Sequence, residues 1–327
     1  MHTIDLSKIS IRTDLIIDKN EDENIKRETK NIENITIENA TTEANENYTT
    51  ISFDDITDKN NFKRVEKVFI DELKPYIKDA NLNKKDTVLI VGLGNSKSTP
   101  DSLGPKAIKQ VLVTRYLFAL GEVEDTYQNV AAIIPEVTAT TGIETLETIE
   151  SLVKKTNTKL LIVIDALASS SLSRVNKTIQ ITNTGIHPGS GVGNNRKELS
   201  IKSLNIPVIA IGVPTIVADT FKYMQKQFSY KLNNYHNKAL KLVANSDQDY
   251  RKEESNLTEE NKKEILGELG TLTDEEFKQL IYEVLYPIDY NLMVTPTEID
   301  FIIEKLGLLI GNGINKSLHD NFNPTNN

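Results

Sequence analysis

Four short, continuously apolar runs constrain this chain more than any other feature: Thr87–Val91, Val130–Ile134, Leu160–Ile164 and Val208–Gly212. A strand exposed on one face alternates apolar with polar residues, whereas one buried on both faces does not. A fifth strand is read at Thr178–Thr182. Between them lie helical patterns. Lys106–Leu120 follows Gly104-Pro105, with proline well placed at a helix start, and Thr141–Lys155 carries Ile143, Leu146, Ile149 and Leu152 at helical spacing. Thr141 or Thr145 would cap that second helix. The pattern predicts an α/β fold, an open, mostly parallel, doubly wound sheet with helices on both faces.

Further along, Asp247–Asn261 turns polar and reads as a surface insertion. Thr273-Asp-Glu-Glu276 opens a helix with acids in its first turn, as the helix dipole favours. Thr295-Pro-Thr-Glu298 opens the last one, running through Phe301, Ile302, Leu306 and Ile310, and residues 321–327 form a frayed tail. Met1–Ser10 holds no apolar core behind basic residues, so it is not a secretory signal. The longest apolar runs fall far short of the ~18–20 residues that a membrane helix needs. A soluble, cytosol-like protein without a membrane partner is expected.

Chemistry is narrowed by what is missing. The 327 residues include no cysteine, which excludes disulfides, a thiol nucleophile and thiolate metal sites. Only His2, His187, His236 and His319 are available, so an all-histidine metal cage is not expected. The net charge of −9 argues against wholesale binding of nucleic-acid phosphates. Seven of those nine charges come from Asp18–Lys59, where 12 acids face 5 bases, and the rest is nearly neutral. Asn20–Asn47 within it shows little periodicity and reads as a solvated insertion or a short edge hairpin.

In an open parallel sheet, ligands gather outside the carboxyl ends of the strands. Three loops qualify: Gly92–Pro105, Asp165–Ser170 and Gly185–Asn194. Gly92-Leu-Gly94 is not a dinucleotide fingerprint, because Lys97 stands where the third glycine belongs. Ser190 lies in Pro-Gly-Ser-Gly-Val, which is not a nucleophile elbow, and His-Glu-x-x-His is absent. His187 is either a metal ligand or a turn residue.

Asp101 and Asp165 form the sharper pair. Asp165 ends an otherwise apolar strand, and Asp101 sits between Thr99-Pro100 and Gly104-Pro105 in the loop after the first central strand. Were those strands neighbours, the carboxylates would share one crevice. Two close carboxylates resist joint ionisation, so one can activate water while the other protonates a leaving amine. The same pair could instead hold a divalent cation that polarises a carbonyl. A purely structural alternative has Asp101 capping a turn and Asp165 accepting from loop amides.

At these residues the chain resembles the germination protease (spore endopeptidase) family. The resemblance rests on Val-Gly-Leu-Gly-Asn (91–95), Thr-Pro-Asp-Ser-Leu-Gly-Pro-Lys-Ala (99–107), Thr-Gly-Ile-Glu-Thr (141–145) and Ile-Asp-Ala-Leu-Ala (164–168). It extends to Gly-Ile-His-Pro-Gly-Ser-Gly-Val-Gly-Asn (185–194), Ile-Pro-Val-Ile-Ala-Ile-Gly-Val-Pro-Thr (206–215) and Asn-Leu-Met-Val-Thr-Pro (291–296). Together with Ile11-Arg-Thr-Asp-Leu15 it covers residues 86–215 and 265–319, and it breaks at 20–83 and 221–262.

The resemblance implies an endopeptidase that degrades small acid-soluble spore proteins on germination, with Asp101 and Asp165 catalytic. Asn95, Thr99, Glu144, His187 and Ser190 lie in the same motifs and are candidates for lining the site. The family is similar, distantly, to hydrogenase maturation proteases, whose analogous acids hold a metal. A metal-assisted rival would therefore use Asp101 and Asp165, with His187, whereas no cofactor is expected for the carboxylate pair alone. The resemblance also implies a zymogen with a propeptide at 1–14, cut at Asp14–Leu15, and a homotetramer in the spore core. The resulting division is propeptide, variable acidic segment 15–85, peptidase domain 86–320 and tail 321–327. A non-enzymatic protein- or ligand-binding module is the remaining alternative.

Overall fold

The apolar runs become the centre of an eight-stranded sheet ordered β1-β2-β3-β7-β8-β6-β4-β5. In the computed structural model the chain is described at residues 13–18, 25–121, 123–188, 197–217, 272, 276, 297–320 and 322. Every one of these except Leu272 and Glu276 belongs to the unit formed by Arg12–Ala218 and Thr295–Asn327. The strands are β1 Lys26–Ile32, β2 Ile35–Thr41, β3 Asn47–Ser52, β4 Thr87–Gly92, β5 Asn129–Ile133, β6 Thr158–Ser169, β7 Thr178–Thr182 and β8 Val208–Val217. The helices are α1 Lys59–Asp79, α2 Leu103–Ile108, α3 Arg115–Leu120, α4 Thr138–Thr141, α5 Thr145–Thr156, α6 Ile201–Leu204 and α7 Ile299–Leu318.

Strands β8, β6, β4 and β5 are parallel, as their unbroken apolar character predicts. Their residues alternate between two cores. Val88, Ile90, Ile162, Ile164, Ile209 and Ile211 pack with α1, α2 and α7 on one face. Leu89, Val91, Leu161 and Val163 pack with Ile149 and Val153 of α5, and with Leu199 and Leu204, on the other. Helices on both faces make the sheet doubly wound.

The flank is antiparallel: β7 runs against β8, β3 against β7, and β1–β2 form an edge hairpin. The division expected at residue 85 is thus replaced by one continuous sheet. Ile35, Ile37, Ile51 and Phe53 supply the flank's buried face, joined by Val65, Phe69 and Leu73 of α1. The Asn/Glu/Thr-rich composition hid an Ile-x-Ile alternation in β2, whose outward residues carry the charge. Helix α1 begins at Asp58, whose carboxylate accepts the Asn61 N–H at 2.7 Å, a cap that contributes about 1 kcal/mol.

Two expected helices are shorter than their patterns. The 106–120 pattern splits, because buried Asn315 of α7 accepts the Leu112 N–H at 2.9 Å and donates to the Gln110 carbonyl at 2.7 Å. Those groups find a side chain instead of a helical turn. The 141–155 pattern starts at Thr145, since Gly142 at φ 74° closes α4 first. The insertion expected at 247–261 lies outside the described residues. So does the helix expected at Thr273, apart from Glu276, which is helical.

Candidate active site

The connections fix where a site can form. From β4 the chain passes to β5 on one side, then crosses to β6 on the other side of β4. The strand order therefore reverses between β4 and β6, and the carboxyl ends at such a reversal are where open parallel sheets take their ligands. The backbones meet there through Leu93, whose N–H donates to the Ile164 carbonyl at 2.8 Å. Asp165 is the next residue of β6, and Asp101 belongs to the loop that leaves β4.

That loop is folded tightly on itself. Gly94 adopts φ 108°, and a Cβ there would stand 1.9 Å from the Asp101 carbonyl oxygen. Gly104 lies so close to Leu93 that a Cβ would be 2.3 Å from its carbonyl oxygen. The glycines thus serve close backbone approach, not a dinucleotide. Asp101 ends a 3-10 turn, Thr99–Asp101, that packs on the ends of β6 and β8. Its Oδ2 accepts the Asn95 N–H at 2.8 Å. Asp165, only 5% exposed, accepts the Ala166 N–H through Oδ1 at 2.9 Å. Both amide contacts match the structural alternative for these residues, and they also fix the carboxylates that a catalytic pair would need.

The other sequence candidates separate. Asn95 and Thr99 sit in the Asp101 loop, where the Thr99 hydroxyl donates to Asp300 of α7 at 2.6 Å and ties the loop to that helix. Glu144 precedes α5, in the segment after β5, and its Oε1 is buried with no hydrogen-bond partner among the described residues. His187 is not brought to the aspartates. Because β7 runs antiparallel, Thr182 lies beside Ala210, and the following loop leaves toward the amino end of β8, opposite to the crevice. There the exposed His187 Nε2 lies 3.4 Å from Glu198. Ser190 lies outside the described residues.

The metal set Asp101, Asp165 and His187 is therefore not assembled. Among the described residues no group of three or more His, Asp or Glu side chains could hold an ion. Nor, among them, is any helix long and apolar enough to cross a membrane.

Asp14 and Leu15 do reach this region. Asp14 donates its N–H to the Ala168 carbonyl at 3.1 Å, and its Oδ2 accepts the Ala168 N–H at 2.8 Å. Ala168 lies three residues past Asp165 on β6, beyond the point where β4 has ended. The Gln180 amide of β7 donates to the Asp14 carbonyl at 3.1 Å and accepts the Ile16 N–H at 2.8 Å. Arg27, paired with Glu38, donates to the Ile16 carbonyl at 3.2 Å. Leu15, between them, is fully buried.

Sequence reasoning missed Gln180, Arg27 and Glu136. Gln180 left a trace, a lone amide at the centre of Thr-Ile-Gln-Ile-Thr in a strand read as buried. Glu136 left none. It adopts φ 58°, a strained geometry for a long side chain, and accepts the Ser96 N–H at 3.4 Å across the crevice loops.

Comparison with known proteins adds a family. Residues 5–327 match the family model described as Germination protease. A germination protease of Bacillus cereus (strain G9842) is 41% identical, with 99% of this chain and 97% of that protein covered. One from Geobacillus sp. (strain WCH70) is 40% identical, with 99% and 98% covered. Among solved structures, the NiFe hydrogenase maturation protease HycI from Thermococcus kodakarensis KOD1 aligns with a TM-score of 0.25 at 15% identity, over 40% of this chain and 75% of that one.

Proposed function

The chain belongs to the germination protease family and so is a peptidase, and on that premise we propose that it is the endopeptidase that begins degradation of small acid-soluble spore proteins in the germinating spore core. The observation that carries this reading is the meeting of the Asp101 loop and Asp165 where the strand order reverses. One carboxylate takes a proton from water as the oxygen attacks the scissile carbonyl. The other delivers a proton to the amine as the C–N bond breaks. The Asn95 amide orients Asp101 and the Ala166 amide orients Asp165. No step is routed through a metal, because the side chains named for one do not converge.

The near-neutral charge outside residues 18–59 suits an enzyme directed at proteins that coat nucleic acid, not at the nucleic acid itself. In this reading the chain is a self-processing zymogen cut at Asp14–Leu15, and four copies assemble. Mass spectrometry after incubation at mildly acidic pH tests it, the expected result being loss of residues 1–14. A chain that cuts a spore protein yet keeps those residues would contradict self-processing. One that does neither would contradict the peptidase reading.

A further inference from the structure

The stretch Thr13–Ile16 is held unlike an ordinary leader. All four main-chain polar groups of Asp14 and Ile16 are paired with distant parts of the chain: the Ala168 main chain, the Gln180 amide and the Arg27 guanidinium. The Asp14 carboxylate takes a fifth bond, from the Ala168 N–H. A side-chain amide that binds a C=O and an N–H two residues apart imitates a neighbouring strand, and it recognises peptide main chain whatever the sequence. Gln180 is itself 5% exposed and so held in place.

This cradle is aligned with the proposed catalytic residue. Asp165 and Gln180 both pair in register with Gly212, one strand to either side of it, so their side chains share a sheet face. Leu167 lies over Gly212 and would collide with any side chain there, at 2.3 Å from an added Cβ. Ala168 offers its N–H and C=O on the side of β6 that β4 has vacated, and Asp14 pairs with both.

A cut between Asp14 and Leu15 would divide the occupant unevenly. Ile16 would keep Gln180 Oε1 and Arg27. Asp14 would leave, freeing the Ala168 N–H, the Ala168 carbonyl and Gln180 Nε2. Those three groups match the carboxylate, the N–H and the C=O of one acidic residue. The geometry points to the Ala168 main chain and the Gln180 amide as the subsite for an acidic residue of the substrate peptide, filled by Asp14 in the uncut chain. This assignment rests on the peptidase reading and adds residues that recognise the substrate. Gln180 Nε2 holds the Asp14 carbonyl, the one that this cut attacks, so Gln180 would touch a reacting atom of the bond that is cleaved. The uncut chain is then self-occupied, and leader and substrate compete for one place.

The test uses the self-processed chain, cleaving a small acid-soluble spore protein. Gln180→Met keeps the length of the side chain and removes both hydrogen bonds. It is expected to lower kcat/KM about fivefold, the effect of one neutral hydrogen bond lost to the carbonyl under attack. The peptide acetyl-Arg-Thr-Asp should inhibit the wild-type chain competitively, and acetyl-Arg-Thr-Asn about tenfold less well, because the carboxylate bond is charge-assisted. The peptide measurement needs no variant and stands even where Gln180→Met fails to fold. Wild-type cleavage with an unchanged kcat/KM in folded Gln180→Met, or with both peptides inert, would overturn the assignment and leave Gln180 as a structural anchor of the leader. A wild-type chain that cleaves nothing would overturn the peptidase reading, and the assignment with it.

Discussion

The amide of Leu93 donates to the carbonyl of Ile164 at 2.8 Å, the bond that closes the β4–β6 ladder. One residue further, β6 presents Asp165, and within the loop that follows Leu93 stands Asp101. The spacing of the two carboxylates therefore depends on main-chain geometry at the end of one strand pair.

Gly94→Ala tests that dependence without touching a carboxylate. The added Cβ would fall 1.9 Å from the Asp101 carbonyl oxygen, at a φ of 108° that alanine disfavours. The loop must open to admit it. A fall in kcat/KM of tenfold or more is expected, with a stability loss of about 1–3 kcal/mol. Steady-state kinetics beside a thermal melt would separate the two effects.

The centre of this fold was legible because strands buried on both faces advertise themselves as unbroken apolar runs. Asp165 stood out for the same reason, as a charge ending such a run. The flank was not legible. The buried side of β2 and β3 rests on alternate isoleucines diluted by Asn, Glu and Thr, and a strand buried on one face gives a weak signal. The direction of β7 was invisible as well. Thr178–Thr182 reads alike in either direction, and only pairing with β8 sends His187 away from Asp165. Sequence motifs grouped His187 with the aspartates, and the register separates them. The role of Gln180 needed contacts with residues 164 and 166 positions away, which no local pattern encodes.

Chelation distinguishes the two water-activating chemistries. With His187 directed to Glu198, the account relies on the carboxylates alone. Cleavage of a spore protein should persist unchanged in a chelator and metal-free buffer. Inactivation that a divalent ion reverses would favour the metal-assisted route.

His319 provides a pH-dependent stability term remote from the crevice. It is 2% exposed, its Nδ1 accepts the Gln128 N–H at 3.1 Å, and burial, helped by nearby Lys84, lowers its pKa from 6.5 to about 4. Between those values the unfolded chain binds a proton that the folded chain refuses, so stability falls as pH drops below about 6.5 and is level above it. Urea denaturation at pH 7 and pH 5 should show about 2 kcal/mol of this loss in the wild type, and less in His319→Asn. Equal pH dependence in both proteins would show that His319 does not carry it.

The most direct measurement is cleavage of a small acid-soluble spore protein by Asp101→Asn and Asp165→Asn, each shown by circular dichroism to keep the wild-type fold. Asparagine preserves the shape of each side chain and removes its capacity to take or give the catalytic proton. The account predicts that new N-termini appear with the wild-type chain and with neither variant, a loss of at least a thousandfold in rate if both protons are handled here, at roughly 10²–10⁴ for each acid or base step. Full activity in either folded variant would contradict it.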